Sequence, residues 1–299
     1  MILAFAPTAT AGVAALLLAA FVVLCYGVAA WSDSPQARLP AGALALGWML
    51  HGVWLMLDIA GVGREVPGLR LGFGPVLSLT AWLILAVHAV ESRLLPLPAV
   101  RRLLALLGAS AMALAWAFPG ELRVMTSQWA PLHWVLGVAS YGLFGAAVMH
   151  ATMLDSAERQ MRLKAPPGRR QTSSAPRGGE STRERPVVDS RAAASSGPLG
   201  MPLLRLERLT FRFVEAGFVV LTLVLLLGVA TTARWRWDHK TVFSLLSWAV
   251  FAALLAGRHW QGWRGQRATR WLYAGAVLLL LAYVGSRFVI EVLLGRGIA

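Results

Sequence analysis

The chain is written as long apolar runs separated by short polar breaks. Apolar stretches lie over about 9–31, 41–60, 72–90, 101–118, 130–154, 209–231, 242–257 and 271–294, and most approach the roughly 20 residues a helix needs to cross the hydrocarbon core. The runs are continuous rather than alternating, which predicts helices and excludes the short dyad-repeat strands of a membrane barrel. The expected fold is an all-α polytopic membrane bundle of about eight spanning helices. The seventh stretch is the shortest. The first lacks a basic leader and is too long for a signal peptide, so it reads as a retained helix.

The polar breaks set orientation and domain layout. Placing the N-terminus outside puts Arg38, then Arg93, Arg101 and Arg102, then the long central loop, then Arg258, Arg264, Arg267 and Arg270 on the cytoplasmic side. The outer loops then hold Arg64, Arg70, Arg123, Arg234, Arg236 and Lys240, so the positive-inside rule favours both termini outside. The stretch from about Asp155 to Arg208 contains PPGRRQTSSAPRGGESTRERP, too polar to offset the entropy of ordering it. It reads as a disordered basic cytoplasmic linker, 155–208, between a five-helix segment, 1–154, and a three-helix segment, 209–299, of one membrane domain. Its charge suits an anionic inner leaflet.

Composition agrees with the pattern. Hydrophobic residues make up 57% of the chain and charged residues 14%, with mean hydropathy +0.62, so lipid is the expected solvent and first partner. The net charge of +14 is concentrated in the linker and at helix ends; without a basic helix carrying interleaved aromatics, nucleic acid is not an expected partner. Cys25 is the sole cysteine, which excludes a disulfide, a CxxC thiol pair and a CxxCH haem attachment site within this chain.

Candidate chemistry rests on histidine, because ionisable groups at membrane depth are costly. His51 falls midway along the second helix, His133 near the outer end of the fifth, and His239 in the outer loop after the sixth; His88, His150 and His259 fall at cytoplasmic ends. His133 and His150 are about 25 Å apart along one helix and cannot share a metal. His133, His239 and His51 form the outer set, suited to haem iron or a divalent transition metal. Each can equally be a helix-end residue bonded to a carbonyl or water. Trp116, Trp129, Trp134, Trp235 and Trp237 read as an interfacial belt; alternatively Trp235 and Trp237 form an aromatic shelf beside His133. Gly137, Ser140, Gly145 and Ala146 permit close helix approach on helix five, and Ser140 and Tyr141 are candidates to orient an imidazole. On helix eight, Arg287 and Glu291 stand at i, i+4 spacing, a structural ion pair or, alternatively, a propionate-binding or gating arginine.

The stretches LHWVLGVASYGLFGAAVMHA, WRWDHKT, GRHWQGWRG and LLLLAYVGSRF resemble the cytochrome c assembly membrane protein family of the CcsA/ResC type, and in detail its YpjD-like inner-membrane branch. The resemblance covers about 130–295 apart from the linker, with a weaker match before it through His51 and FGPVLSLTAW. It implies a bacterial inner-membrane protein that handles haem b for cytochrome c assembly and serves apocytochrome c or other assembly proteins. His133 with Tyr141 matches the family's H-x7-Y, implying that His133 is an external haem ligand. Trp235, Trp237, Asp238 and Lys240 match W-x-W-D-P-K-E-T, implying a haem-presenting surface. His239 stands where the family has proline, and the upstream W-G is missing. Ala256 occupies the place of an intramembrane histidine nineteen residues after Trp237, with His259 about a turn further on, and GRGIA offers no second external histidine.

Three functions follow. The first is haem binding or presentation at the outer face through His133, with Trp235, Trp237, Asp238, His239, Tyr141 and Arg287 around it and no bond chemistry of the chain's own. The second is a scaffold of the same fold that has lost haem. The third is an accessory to metal-ion or small-solute transport, motivated by His51, Arg287 and Glu291 at membrane depth.

Overall fold

The computed structural model describes residues 9–31, 38–60, 69–92, 98–123, 129–164, 203–231 and 237–293. Among them are eight helices: α1 (Ala9–Trp31), α2 (Arg38–Ala60), α3 (Phe73–Ser92), α4 (Pro98–Ala117), α5 (Ala130–Lys164), α6 (Leu203–Thr231), α7 (His239–Gln261) and α8 (Gln266–Leu280). The last runs on through a π-helical turn (Leu281–Gly285), three α-helical residues (Ser286–Phe288) and a second π-helical turn (Val289–Leu293). Seven of the eight are long and apolar enough to cross a membrane, and α3 carries a shorter apolar run, Phe73–Ala89. The chain is an all-α, multi-pass membrane bundle.

The helices form two groups of four. Tyr26, Leu55, Leu85, Leu104 and Met112 meet in a core shared by α1–α4. Phe144, Phe211, Phe251, Leu254 and Leu272 form a second core in α5–α8, where the rings of Phe144 and Phe251 stack at 3.8 Å. The seam runs along α3 and α5: a Cβ on Gly145 would lie 2.5 Å from Ile84 and one on Gly142 2.8 Å from Leu83, so Gly145, as the small-residue pattern predicts, and Gly142 let the two helices approach, whereas a Cβ on Gly137 would meet nothing within 4 Å. Because α3 is wrapped by its neighbours, it buries Ser78, Thr80 and His88 and faces little lipid. Trp48 on α2 and Trp82 on α3 clasp this group, each indole N–H donating to the other's backbone carbonyl (3.2 and 2.9 Å).

A two-stranded antiparallel sheet closes one end of the bundle. β1 (Leu69–Leu71) and β2 (Glu121–Arg123) pair with Arg70 opposite Leu122, and Arg70 is tied to Asp58 at the end of α2 by a 3.1 Å ion pair. This is the sheet end; the other, where α5 ends and α6 begins, is the linker end.

Three boundaries differ from the sequence reading. α5 continues to Lys164 and α6 starts at Leu203, so both flanks of the expected 155–208 linker are helical; 165–202 lies outside the described residues. Asp155 is part of the packing, accepting from Tyr273 (2.8 Å) and Thr269 (3.3 Å) on α8. α7 is a full-length span that begins at His239, because Asp238 caps it.

Candidate functional site

His133 lies in the first turn of α5, at the sheet end. Its ring turns toward α6: it hydrogen-bonds to the backbone of Val224, and a Cβ on Gly228 would stand 3.3 Å from its Cε1. Nδ1 is buried with no hydrogen-bond partner among the described residues. Trp129, whose carbonyl accepts from the His133 backbone N–H at 3.0 Å, lines an open hollow of about 350 Å³ with Leu227, Ala230 and Thr231 of α6. The arrangement holds one imidazole in a fixed plane next to an apolar recess, with one ring nitrogen uncommitted. Sequence spacing could place His133 at a helix end but not point it at Gly228.

Asp238 is a helix cap. Its backbone is extended and its Oδ1 accepts from the Thr241 N–H and the Thr241 hydroxyl, both at 2.9 Å. These bonds, followed by the charges of Lys240 and His239, hold the carboxyl below its ordinary pKa against a smaller opposing effect of desolvation. Trp237 precedes it and is 73% exposed, and His239 is exposed at the first position of α7. Trp235 lies outside the described residues. Lys240 reaches over the Tyr283 ring (5.9 Å), and Trp134, next to His133, meets the same ring edge-on at 6.4 Å.

Tyr141 and Ser140 do not reach an imidazole. Ser140 bonds back to the Gly137 carbonyl (2.7 Å). The Tyr141 hydroxyl donates to the Leu279 carbonyl (2.5 Å) and is bonded to the backbone of Tyr283, one on each side of the point where the last helix widens into its first π turn. A hydroxyl inserted between a carbonyl and the amide four residues on is a recognised cause of such a distortion.

Arg287 pairs with Glu121 of β2 (3.2 Å); the side chain of Glu291, its expected i, i+4 partner, lies outside the described ones. The guanidinium is buried, with 4% of the side chain exposed against 37% for Glu121, and lies 6.0 Å from the Tyr283 ring centroid. Its charge is thus matched by a strand that sequence proximity could not suggest, 166 positions away.

His51 is wholly buried. Both ring nitrogens are engaged, Nδ1 with the Tyr26 hydroxyl (2.9 Å) and Nε2 with Ser78 Oγ (2.7 Å). It therefore joins α1, α2 and α3 inside the first core and does not complete an outer ligand set with His133. His150 is buried and stacks on Phe213 (5.3 Å), and His259 is exposed at the linker end. No group of three or more His, Cys, Asp or Glu that could hold a metal ion occurs among the described residues.

Comparison with known proteins gives a consistent picture. The family model described as "Cytochrome C assembly protein" matches residues 11–294. The "Inner membrane protein YpjD" of Escherichia coli strain K12 is 41% identical over 91 residues, 29% of this chain and 35% of that protein, so the match spans about a third of its length. The "Cytochrome c biogenesis protein CcsA" of Parasynechococcus marenigrum is 26% identical over 226 residues, 69% of this chain and 70% of that one. Its namesake from Synechococcus sp. strain JA-3-3Ab is 24% identical over 256 residues, covering 74% and 72%. No solved structure matches significantly.

Proposed function

The chain belongs to the cytochrome C assembly protein family, and from that premise we propose that it serves cytochrome c biogenesis by holding haem b at the sheet end of its bundle. The observation that carries this reading is His133, an imidazole tied to the Val224 backbone with a buried Nδ1 that nothing among the described residues satisfies.

The residues fit a haem on the chemistry of one axial ligand. A neutral imidazole whose other nitrogen is held by the backbone is oriented for iron, and the recess lined by Trp129, Leu227, Ala230 and Thr231 offers apolar surface beside it. A bound haem would supply a redox-active iron, and with that iron kept reduced the haem would be available for attachment to a partner's cysteines. The chain's own part would be to bind and present: His133 as ligand, Trp129 with Trp235 and Trp237 as aromatic cover, Asp238 as the cap that sets where Trp237 stands, and His239, exposed beside that cap, as part of the haem-facing surface. Tyr141 and Arg287 act as positioning residues, through Leu279 and Glu121. In this reading the sheet end faces outward from a bacterial inner membrane, both termini lie outside, the basic linker lies in the cytoplasm, and the partner is apocytochrome c or another assembly protein.

The test is an absorption spectrum of detergent-purified protein, oxidised and dithionite-reduced, with a pyridine haemochrome assay. A b-type spectrum near one haem per chain, lost in His133→Ala and kept in His150→Ala, supports the proposal. A featureless spectrum after growth with haem precursor sinks it and favours the scaffold reading. That second reading has its own support: His51 is saturated and Arg287 is already paired, so both already have protein partners without a haem.

A further inference from the structure

The turn between α7 and α8 is organised around one indole. Gly262 (φ 65°) and Gly265 (φ 57°) adopt left-handed backbone, which reverses the chain at little cost only because neither has a side chain. Between them Trp263 folds back on α7, so that a Cβ on Gly257 would lie 2.5 Å from its ring. Its Nε1 donates to Gln261 Oε1 (2.7 Å), and the Trp271 ring is 5.4 Å away. On this platform the Arg267 guanidinium lies 4.4 Å from the Trp263 ring centroid. A cation–π contact restrains the planar head while leaving its N–H donors unspent.

The charges around the platform are one-sided. Arg264, Arg267, Arg270 and His259 are exposed, and the ion pairs of the described residues do not include these arginines, in contrast to Arg258, which is held by Glu207 at 3.2 Å. No acidic residue occurs between Asp238 and Glu291. The carboxylates facing the turn come from α5: Asp155 is engaged by Thr269 and Tyr273, and Glu158 Oε1 lies 3.7 Å from where a Cβ on Gly265 would be. The flanking candidate spans end at Gln261 and resume at Gln266, so the turn sits at headgroup level. Trp260, 80% exposed, stands where an indole is at home between headgroups and acyl chains.

We propose that this turn is a binding site for the phosphate of an anionic phospholipid in the leaflet at the linker end. Arg267, restrained on Trp263, and Arg264 are the anion-contacting residues, and Trp260 lies against the glycerol and upper acyl region. The site does not depend on haem handling or on which side of the membrane the linker end faces.

The test uses full-length protein in nanodiscs of phosphatidylcholine with a minority of phosphatidylglycerol, followed by native mass spectrometry of retained lipid. The quantity read is the ratio of phosphatidylglycerol to phosphatidylcholine adducts. At about 1 kcal/mol per basic side chain near an anionic surface, Arg264→Gln with Arg267→Gln should lower it on the order of tenfold, while Arg38→Gln, an exposed arginine of α2 at the same end, should not change it. Arg267→Lys keeps the charge but loses the planar stack, and is expected to lower the ratio part-way with wild-type thermal unfolding. An unchanged ratio in the double variant, an equal fall in Arg38→Gln, or wild-type retention in Arg267→Lys overturns the proposal in favour of diffuse charge.

Discussion

The Tyr141 hydroxyl donates to the carbonyl of Leu279, 138 positions away in sequence, and is bonded on its other side to the backbone of Tyr283. In an α-helix those two backbone groups would bond each other. A side chain of α5 thus substitutes for one rung of the last helix, which widens into a π turn over Leu281–Gly285. The same turn carries Tyr283, against which Trp134 and Lys240 pack, and it leads directly to Arg287.

Tyr141→Phe removes only the hydroxyl. Leu279 and Tyr283 can then close their own bond, so the net loss should be about 1 kcal/mol and not the larger cost of stranding buried groups. Hydrogen exchange should change over the π turn and leave α2 untouched. Identical exchange in the last helix of both proteins would show that the hydroxyl does not maintain the π turn.

Arg287 and Glu121 join the last helix to β2 across the sheet end. Glu121→Gln removes the carboxylate charge facing a buried guanidinium; breaking a fully buried pair costs about 3–5 kcal/mol, but because Glu121 is 37% exposed, water offsets part of that, and a loss of about 1–3 kcal/mol is expected. Replacing both, Arg287→Met with Glu121→Gln, should recover stability relative to Glu121→Gln alone. A thermal-unfolding double-mutant cycle with no coupling would mean the pair is incidental.

His51 predicts a clean separation of stability from ligand binding. His51→Leu leaves the Tyr26 and Ser78 hydroxyls buried without their partner, at about 1–3 kcal/mol each. The melting temperature should therefore fall while haem per folded chain stays unchanged. Loss of haem from a fully folded His51→Leu protein would return His51 to the ligand set.

What the sequence discloses here follows from the solvent. Lipid requires each spanning segment to satisfy its own backbone, so the helices show as apolar runs whatever their partners. Helix ends in water carry weaker marks: the start of α7 was available in Asp238 and Thr241, a side-chain cap at N3 spacing, but the polar extension of α5 to Lys164 reads as linker until Asp155 is seen bonded to Tyr273. Pairings between distant helices leave no local trace. Arg287 with Glu121, His51 with Tyr26 and Ser78, and Tyr141 with Leu279 are hidden for that reason.

The Asp238 cap adds a pH dependence. Its carboxyl is held below the ordinary aspartate value, so its contribution is complete above the unfolded-state pKa and fades as pH falls through the lower folded-state one. Asp238→Ala should cost about 1 kcal/mol at neutral pH, and the difference from wild type should shrink toward zero under acid conditions. A gap that stays constant down the titration would show that the loss comes from something other than the ionised cap.

Gly228 offers the sharpest probe of the proposed ligand, because it changes the surroundings of His133 without touching the histidine. A Cβ there would lie 3.3 Å from Cε1 and 3.8 Å from Nδ1, a contact tight enough to make the ring give by a few tenths of an ångström. Alanine should therefore be tolerated with a small shift in the reduced haem spectrum. Leucine, which adds bulk between α5 and α6, should push the imidazole aside and lower haem occupancy several-fold while the bundle still folds, since only 17% of the α6 span is buried inside the protein. Two outcomes separate the alternatives. If Gly228→Leu and His133→Ala lose haem in parallel and both keep wild-type helicity, the iron sits on the α5–α6 side of His133. If Gly228→Leu keeps full occupancy with an unshifted spectrum, the recess beside Trp129 is not the haem site, even should His133→Ala prove colourless.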